Sequence, residues 1–269
     1  MVSIYDRPTR RPLTVEPNSQ GLNSLWVGLE YALLFDEGNG NPRNLIPGRV
    51  DDFVLTGVPT WEPSPVGMGV QGTDSSSDYI VGTGHELKTF THLVVHTPND
   101  IATDSIVSMK EDAAGPSGTI DRVIGITTQS TYGAYLWDGS NRNAETTTLA
   151  VAGVTRTIAQ VVENSAQMDI WLDGVKEGTT VINTPFTGYT TPEIVFFRGG
   201  VNGIGSGGGV SDDLPGDGHT SLFLGWGRNL SEYEAEFATR FPYRMFDDLV
   251  VHPAIINASA RTVQKIYPL

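Results

Sequence analysis

From residue 25 onward, the chain consists of short apolar or alternating runs separated by Gly, Asn, Asp and Pro. Runs at spacings of roughly 8–15 residues are typical of an all-β sandwich or barrel, and helical periodicity is nearly missing. The pattern predicts strands over residues 31–35, 53–55, 79–81, 91–96, 106–109, 122–127, 132–137, 146–151, 155–162, 168–172, 194–197, 221–225 and 245–252.

Tight hairpin turns are predicted at two places in the chain. Residues 170–176 place Asp173-Gly174 between alternating flanks. Asp-Gly suits a two-residue type I′ turn because both central residues need positive φ. The pair Asp138-Gly139 repeats this signal less clearly.

Two short helices are predicted towards the end of the sequence. Ser231 and Glu234 have the spacing of a capping box, which opens a helix over residues 232–240. Ser259 can cap a second helix over residues 260–266. Both are too short to define a separate domain.

Residues 1–24 differ from the rest of the chain. Pro8, Pro12 and Pro17 recur there and apolar residues are sparse, so this segment cannot bury a core of its own. We predict an extended N-terminal arm over residues 1–24 and one β domain over residues 25–269. A frayed terminus is the alternative interpretation of the arm.

Net charge also differs between the N-terminal residues and the rest of the chain. The 17 Lys and Arg residues against 31 Asp and Glu residues give a formal net charge of −14. Residues 1–12 carry three Arg and one Asp, or +2, which leaves −16 for the other 257 residues. We therefore expect no nucleic-acid partner, because phosphate contacts need clustered cations.

Two further features of composition exclude other classes of protein. Because the chain has no Cys, it has no disulfides, thiol nucleophile or thiolate metal site. The longest apolar stretch, residues 25–35, contains Glu30 and falls short of the about 20 residues that a membrane span needs. We expect no membrane partner.

Four blocks of sequence together indicate a fold family. They include a strand running into Phe-Asp-Glu-Gly-Asn-Gly, the hairpin Met-Asp-Ile-Trp-Leu-Asp-Gly-Val, and Phe-Asp-Asp-Leu-Val-Val-His before a short helix. In this order they resemble laminin G-like, concanavalin A-like jelly-roll domains, which implies an all-β jelly-roll β-sandwich. The blocks lie at residues 31–46, 77–81 with 90–91, 168–175, and 246–252 with 258–267.

The arm carries a second resemblance. Residues 7–14 read Arg-Pro-Thr-Arg-Arg-Pro-Leu-Thr, and residues 23–29 read Asn-Ser-Leu-Trp-Val-Gly-Leu. This pair of segments is similar to the leader before such domains in virion proteins of tailed bacteriophages. The resemblance implies a phage structural protein.

Carboxylates are the first candidates for catalysis. Glycosidases with a concanavalin A-like fold place carboxylates at a Glu-x-Asp-x-x-Glu spacing on one strand face, and this triplet is absent. Asp169 and Asp173 flank the predicted hairpin, and the adjacent acids Asp247 and Asp248 would point to opposite strand faces. Asp248 fits a structural hydrogen-bond acceptor. We predict no catalytic residues and a protein that is not an enzyme.

Metal sites receive little support from the sequence. His92 and His96 share one face of a predicted strand about 13 Å apart, too far to share a zinc ion. The acidic segments 74–78 and 212–217 could hold calcium, although solvated loops are the alternative interpretation. We therefore predict no metal ligands and leave calcium open as a cofactor.

Glycan binding is the remaining chemistry, and aromatic rings suit the apolar faces of sugars. Trp61 precedes Glu-Pro, and Trp226 lies between two glycines. Both are candidate glycan-binding residues, with packing against the core as the alternative.

These inferences predict a non-enzymatic phage virion protein. The main hypothesis is a capsid decoration protein on the capsid exterior. Its arm would dock on the major capsid protein or another virion protein, with Arg7, Arg10 and Arg11 making charge-assisted contacts. A homotrimer fits capsid symmetry. The alternative is a tail-fibre or baseplate adhesin that binds host-surface glycan through the loops of the sandwich.

Overall fold

The computed structural model describes residues 23–46, 53–73, 78–84, 88–102, 104–111, 122–137, 141–182, 192–199 and 214–246. Regular structure in these residues is almost entirely β. The elements are α1 (Asn23–Trp26), β1 (Leu29–Leu33), β2 (Val54–Thr56), β3 (Thr60–Ser64), β4 (Gly67–Gly72), β5 (Tyr79–Thr83), β6 (Phe90–Pro98), β7 (Asp104–Glu111), β8 (Arg122–Ile126), β9 (Thr131–Trp137), β10 (Asn141–Leu149), β11 (Arg156–Glu163), β12 (Gln167–Leu172), β13 (Val175–Val181), β14 (Pro192–Phe196), β15 (Arg198–Gly199), β16 (Leu214–Pro215), β17 (Gly218–Trp226), α2 (Glu232–Arg240) and a 3-10 helix (Arg244–Phe246).

Two antiparallel sheets form a jelly-roll β-sandwich, which confirms the predicted fold class. The first sheet has the order β13-β12-β11-β6-β17-β4-β3, and β1 also pairs with β17. The second sheet has the order β10-β9-β8-β7-β14-β5-β2, and β15 and β16 form a separate small ladder. The sandwich therefore has two lateral edges, one at β13 and β10 and the other at β3 and β2.

The space between the sheets holds the larger hydrophobic core. Phe90, Val94 and Phe223 of the first sheet meet Ile194 and Phe196 of the second. The rings of Phe196 and Phe223 make an edge-to-face contact at 5.1 Å between centroids, a favoured arrangement for aromatic pairs.

A second hydrophobic layer covers the other face of the first sheet. Residues of the helices and of the turn after α2, including Leu25, Ala235 and Tyr243, pack with Leu93 and Leu224 of the sheet. This layer explains why every residue of β6 is buried, since a strand covered on both faces loses the usual alternation of apolar and polar residues.

Arg228, which follows β17, links the two helices through hydrogen bonds of its guanidinium. Its guanidinium donates to both carboxylate oxygens of Glu234 at 2.9 and 2.8 Å and to the carbonyl of Ser24 at 2.6 Å. Because the Arg228 hydrogen bonds favour the ionised carboxylate, the pKa of Glu234 falls to about 2. One residue thus connects α1, α2 and the first sheet.

The local predictions at the turn and the helix are confirmed. Asp173 and Gly174 have φ values of 48° and 90° between β12 and β13, as a type I′ turn requires. Helix α2 begins after Ser231, whose side chain and that of Glu234 form the predicted capping box.

Other predicted elements differ in their bounds, are wrong, or lie outside the described residues. Every predicted strand up to residue 225 overlaps an observed strand. The predicted strand over residues 245–252 is wrong at its start, because Arg244–Phe246 forms a 3-10 helix. The turn at Asp138-Gly139, the helix over residues 260–266 and the arm before Asn23 lie outside the described residues.

Candidate functional site

Trp226 lies at the end of β17 and is completely buried, with 0% of its surface exposed. Its indole N–H donates to the carbonyl of Leu25 at 2.6 Å, and its ring belongs to the layer beneath the helices. A ring without an accessible face cannot stack on a sugar. The structure therefore corrects the assignment of Trp226 to glycan binding, and Trp226 is a packing residue.

Trp61 has a different environment. It lies in β3 at a lateral edge of the sandwich, is half-buried, and packs with Leu55 against the inter-sheet core. Its indole N–H donates to the carbonyl of Gly40 at 3.0 Å. The ring is thus fixed on one side, and Trp61 as a residue keeps part of its surface accessible, whereas Trp226 does not.

The loop that holds Trp61 contains Gly38-Asn39-Gly40-Asn41, and all four residues are exposed. Gly38 and Gly40 have φ values of 71° and 68°, a region that glycine adopts without steric cost. The Asn41 side-chain oxygen accepts from the Leu55 N–H at 3.2 Å. Because Leu55 is in β2 and Trp61 in β3, this loop is bonded to both sheets and spans the edge between them.

Hydrogen bonds of the buried side chain of Asn44 fix the base of this loop. The side chain of Asn44 accepts from the N–H groups of Ala32 at 3.0 Å and Ile46 at 3.2 Å, and it donates to the carbonyl of Glu30 at 3.0 Å. Glu37 accepts from the Arg43 N–H at 3.3 Å. We call Trp61 together with residues 36–43 the Trp61 platform, and its loop is held in shape before any ligand binds.

The platform offers several kinds of hydrogen-bonding group beside one aromatic ring. Asn39, Asn41 and Arg43 are exposed, and Asp36 and Glu37 are half-exposed. Amides and carboxylates next to a tryptophan can bind sugar hydroxyls and the apolar face of the same sugar. The sequence pattern indicated Trp61 as a candidate but not this loop, whose residues contributed only to the family resemblance.

The segments proposed for calcium show structural roles where they are described. Asp78 is buried, and its carboxylate accepts from the Val58 N–H at 2.9 Å and from the Thr73 hydroxyl. Asp217 accepts from the Asn99 side chain at 2.7 Å. Residues 74–77 and 212–213 lie outside the described residues. In the described ranges, no group of three or more acidic or histidine side chains could hold a metal ion.

Asp169 and Asp173 also have structural partners. Asp173 accepts from the Arg156 guanidinium at 2.7 Å and from the Thr157 N–H at 2.8 Å. Asp169 accepts from the Thr179 hydroxyl at 2.6 Å. Both carboxylates stabilise the first sheet around the β12–β13 hairpin. Asp248 lies outside the described residues.

His92 and His96 are separate core residues. The His92 ring lies 4.6 Å from Phe90 and 5.5 Å from Phe223 between ring centroids. His96 is buried and its Nδ1 lies 3.1 Å from the Thr220 hydroxyl. Burial and nearby His219 lower the pKa of His96 to about 3, against the effect of a hydrogen bond to the Asp217 backbone. His96 is therefore neutral at physiological pH.

The residues predicted to bind a partner are in the N-terminal segment. Arg7, Arg10 and Arg11 fall outside the described residues. Among the helices that the structure describes, none is long and apolar enough to cross a membrane.

Comparison with known proteins gives matches of fold only. No protein-family model and no curated protein sequence matches the chain. The binding domain of Paraclostridial Mosquitocidal Protein 1 is similar in structure, with a TM-score of 0.59 and 14% identity over 80% of this chain and 52% of that chain. Domain 4 of AbnA, a GH43 extracellular arabinanase from Geobacillus stearothermophilus in complex with arabinotriose, gives 0.58 and 14% over 78% of this chain and 98% of that chain.

The receptor-binding domain of botulinum neurotoxin type G gives a TM-score of 0.55 and 11% identity over 80% of this chain and 51% of that chain. The chain thus spans about half the length of the mosquitocidal and neurotoxin structures and nearly all of the arabinanase domain. At these identities the comparisons establish a shared β-sandwich fold.

Proposed function

We propose that this chain is a non-enzymatic binding module that recognises a glycan through the Trp61 platform. The observation that carries the proposal is the half-buried Trp61 ring, bonded to Gly40 of an exposed polar loop. A fixed aromatic ring loses little conformational freedom on binding, which favours affinity for a ligand as polar as a sugar.

The structural comparisons support this class of function. The similar structures are a toxin binding domain, a domain in complex with arabinotriose and a receptor-binding domain. The described carboxylates with structural partners, including Asp78, Asp169 and Asp173, support binding rather than hydrolysis.

The N-terminal segment supports a more specific proposal, that the module is part of a phage virion. Residues 1–12 carry +2 whereas the other 257 residues carry −16, so the two parts suit different partners. In this proposal Arg7, Arg10 and Arg11 attach the chain to the major capsid protein or another virion protein. The sandwich then presents the Trp61 platform outward from the capsid exterior or, in the alternative, from the tail. A homotrimer remains part of this proposal.

The glycan proposal is tested by comparing the full-length wild type with Trp61→Ala on a glycan microarray and by calorimetry. We expect the variant to lose about tenfold in affinity, since a stacked aromatic contact is worth about 0.5–1.5 kcal/mol beyond the area it buries and the buried area is lost as well. Tyr233→Ala is the matched control, because Tyr233 is 75% exposed on α2 and far along the chain from the platform.

Two further results decide the proposal. Asn39→Ala, which removes an exposed side chain of the loop, should weaken binding without changing the melting temperature. Wild-type protein that binds no glycan, or Trp61→Ala protein that folds and binds as the wild type does, would falsify the proposal.

The attachment proposal has its own test. Deletion of residues 2–20 should abolish binding to purified virions while glycan binding persists. Truncated protein that still coats virions at full occupancy would show that the arm is not the anchor.

A further inference from the structure

Phe35 lies directly before the loop of the Trp61 platform and has an unusual backbone conformation. Its φ is 48°, in the left-handed region that bulky side chains rarely adopt. Other described residues with a positive φ include Ser130, Ser165 and Asp173, which are small polar residues of a kind common in turns. A phenylalanine in this region is strained, and such strain persists only where the surrounding structure imposes it.

The ring of Phe35 is anchored in the core between the sheets. Phe35 is 0% exposed, and its ring makes an edge-to-face contact with Phe196 at 5.3 Å between centroids. The strand before Phe35 is β1, which pairs within the first sheet, whereas Phe196 belongs to β14 of the second sheet. The ring therefore connects the two sheets at the point where the chain leaves β1.

Phe196 also contacts the strand to which the loop is bonded. The ring of Phe53, directly before β2, lies 6.2 Å from the ring of Phe196 between centroids. In β2 itself, the Leu55 N–H donates to the Asn41 side-chain oxygen of the loop at 3.2 Å. The start of the loop at Phe35 and its contact with β2 thus share one aromatic anchor.

Phe197 is also strained, with φ 63°, but its backbone is bonded to neighbouring segments. Its N–H donates to the Ile106 carbonyl at 3.1 Å, and its carbonyl accepts from the Gly216 N–H at 2.9 Å. These backbone hydrogen bonds account for its conformation. At Phe35 the contact with the second sheet is made by the ring instead, so a change of side chain there should alter the path of the chain into the loop.

We propose that Phe35 is the positioning residue of the Trp61 platform. Its left-handed backbone turns the chain from β1 into the loop, and its ring fixes where the loop begins. Because Phe35 is buried, it cannot contact a ligand and acts through Gly40, whose carbonyl accepts from the Trp61 indole N–H at 3.0 Å. This inference rests on the proposed function, since a loop held in place before binding loses less conformational freedom when the glycan binds.

The test compares Phe35→Leu with Phe90→Leu in the full-length protein. Both phenylalanines are 0% exposed in the inter-sheet core, and leucine removes few atoms, so both variants should fold with a lowered melting temperature. In NMR without a ligand, only Phe35→Leu should raise the exchange rate of the Trp61 indole N–H with water, by about threefold or more. The Trp226 indole N–H should exchange equally slowly in both variants and in the wild type.

A second pair of variants tests the backbone of Phe35 rather than its ring. Phe35→Gly and Phe35→Ala both remove the ring, but only glycine adopts a φ of 48° without steric cost. We expect slower exchange of the Trp61 indole N–H in Phe35→Gly than in Phe35→Ala. The reverse order would show that the left-handed backbone does not direct the loop. The leucine pair decides the inference if either of these variants unfolds.

Glycan affinity separates this inference from the proposed function. Phe35→Leu should bind the glycan about threefold or more weakly than Phe90→Leu, because part of the binding free energy is then used to order the loop. Equal exchange and equal affinity in the two leucine variants would overturn the inference and leave the proposed function standing. Wild-type protein that binds no glycan would overturn the proposed function, whereas the exchange rates would still decide whether Phe35 positions the loop.

Discussion

The two lateral edges of the sandwich are closed in different ways. At the edge formed by β13 and β10, the Glu177 carboxylate accepts from the N–H groups of Thr147 and Thr148 at 2.9 and 2.8 Å and from the Thr148 hydroxyl at 2.7 Å. At the edge formed by β3 and β2, the loop at Gly40 bonds to Trp61 and Leu55. The β13 edge is thus held by the charged side chain of Glu177. The β3 edge is held by the Gly40 carbonyl and the Asn41 amide beside the half-buried Trp61.

This difference is the reason that the proposed binding site is placed at the β3 edge. The hydrogen bonds that close the β13 edge occupy the carboxylate oxygens of Glu177. This polar side chain therefore already stabilises the fold. At the β3 edge the same task falls to the Gly40 carbonyl and the Asn41 side-chain oxygen, while Asn39 is exposed and Trp61 is half-buried. The comparison separates an edge closed by a charged side chain from the edge at which we propose binding.

The largest expected effect concerns Glu177. Glu177→Ala leaves the N–H groups of Thr147 and Thr148 without their acceptor, and we expect a loss of about 2 kcal/mol in the free energy of unfolding. Glycan affinity of the folded variant should not change. Glu163→Ala, which removes an exposed glutamate at the end of β11, is the control for denaturant titration. A loss of affinity in Glu177→Ala would contradict the division between the two edges.

The next largest expected effect is a pH dependence of the free energy of unfolding. Arg228 lowers the pKa of Glu234 from 4.5 to about 2 in the folded protein. A carboxyl with a lowered folded pKa stabilises the fold above its unfolded pKa, and this contribution is lost as pH falls from 4.5 towards 2.

Urea titrations across this range should show the effect in the wild type. In Glu234→Gln, which cannot ionise, we expect lower stability at pH 7 and a difference from the wild type that shrinks as pH falls. A constant difference between pH 7 and pH 2 would show that the ion pair with Arg228 contributes nothing.

The smallest expected effect tests the loop itself. Gly40 has φ 68° with open space around its Cβ position, so Gly40→Ala adds backbone strain without a clash. We expect about 1 kcal/mol of destabilisation, measured by thermal unfolding. A weakening of glycan binding by a few fold should accompany it as the loop shifts. Gly153→Ala, with φ 74° and equally open surroundings, should show the strain without the effect on binding.

The sequence predicts the sandwich well where the strands have a clear pattern. Strands β6, β11 and β12 are rich in buried Val, Ile and Leu, and all three were predicted. Strands β3 and β4 were missed because Pro63, Gly67 and Gly69 resemble turn residues. Proline at the edge strand β3 is acceptable because the outer N–H groups of an edge strand need no partner.

The candidate site is harder to predict because it depends on contacts that are distant in sequence. Two tryptophans next to small or polar residues look alike in the sequence, and both donate an indole N–H to a carbonyl. Trp226 is buried in the layer beneath the helices and donates to Leu25, 201 positions away, whereas Trp61 donates to Gly40 of an exposed loop, 21 positions away. Sequence alone shows neither partner.

The most direct test of the account is an NMR titration of the indole N–H signals of the five tryptophans with an oligosaccharide that binds. The account predicts that the Trp61 signal shifts with the ligand concentration while the Trp226 signal stays fixed. Saturable binding that leaves the Trp61 signal unchanged would contradict the claim that the β3 edge is the binding site.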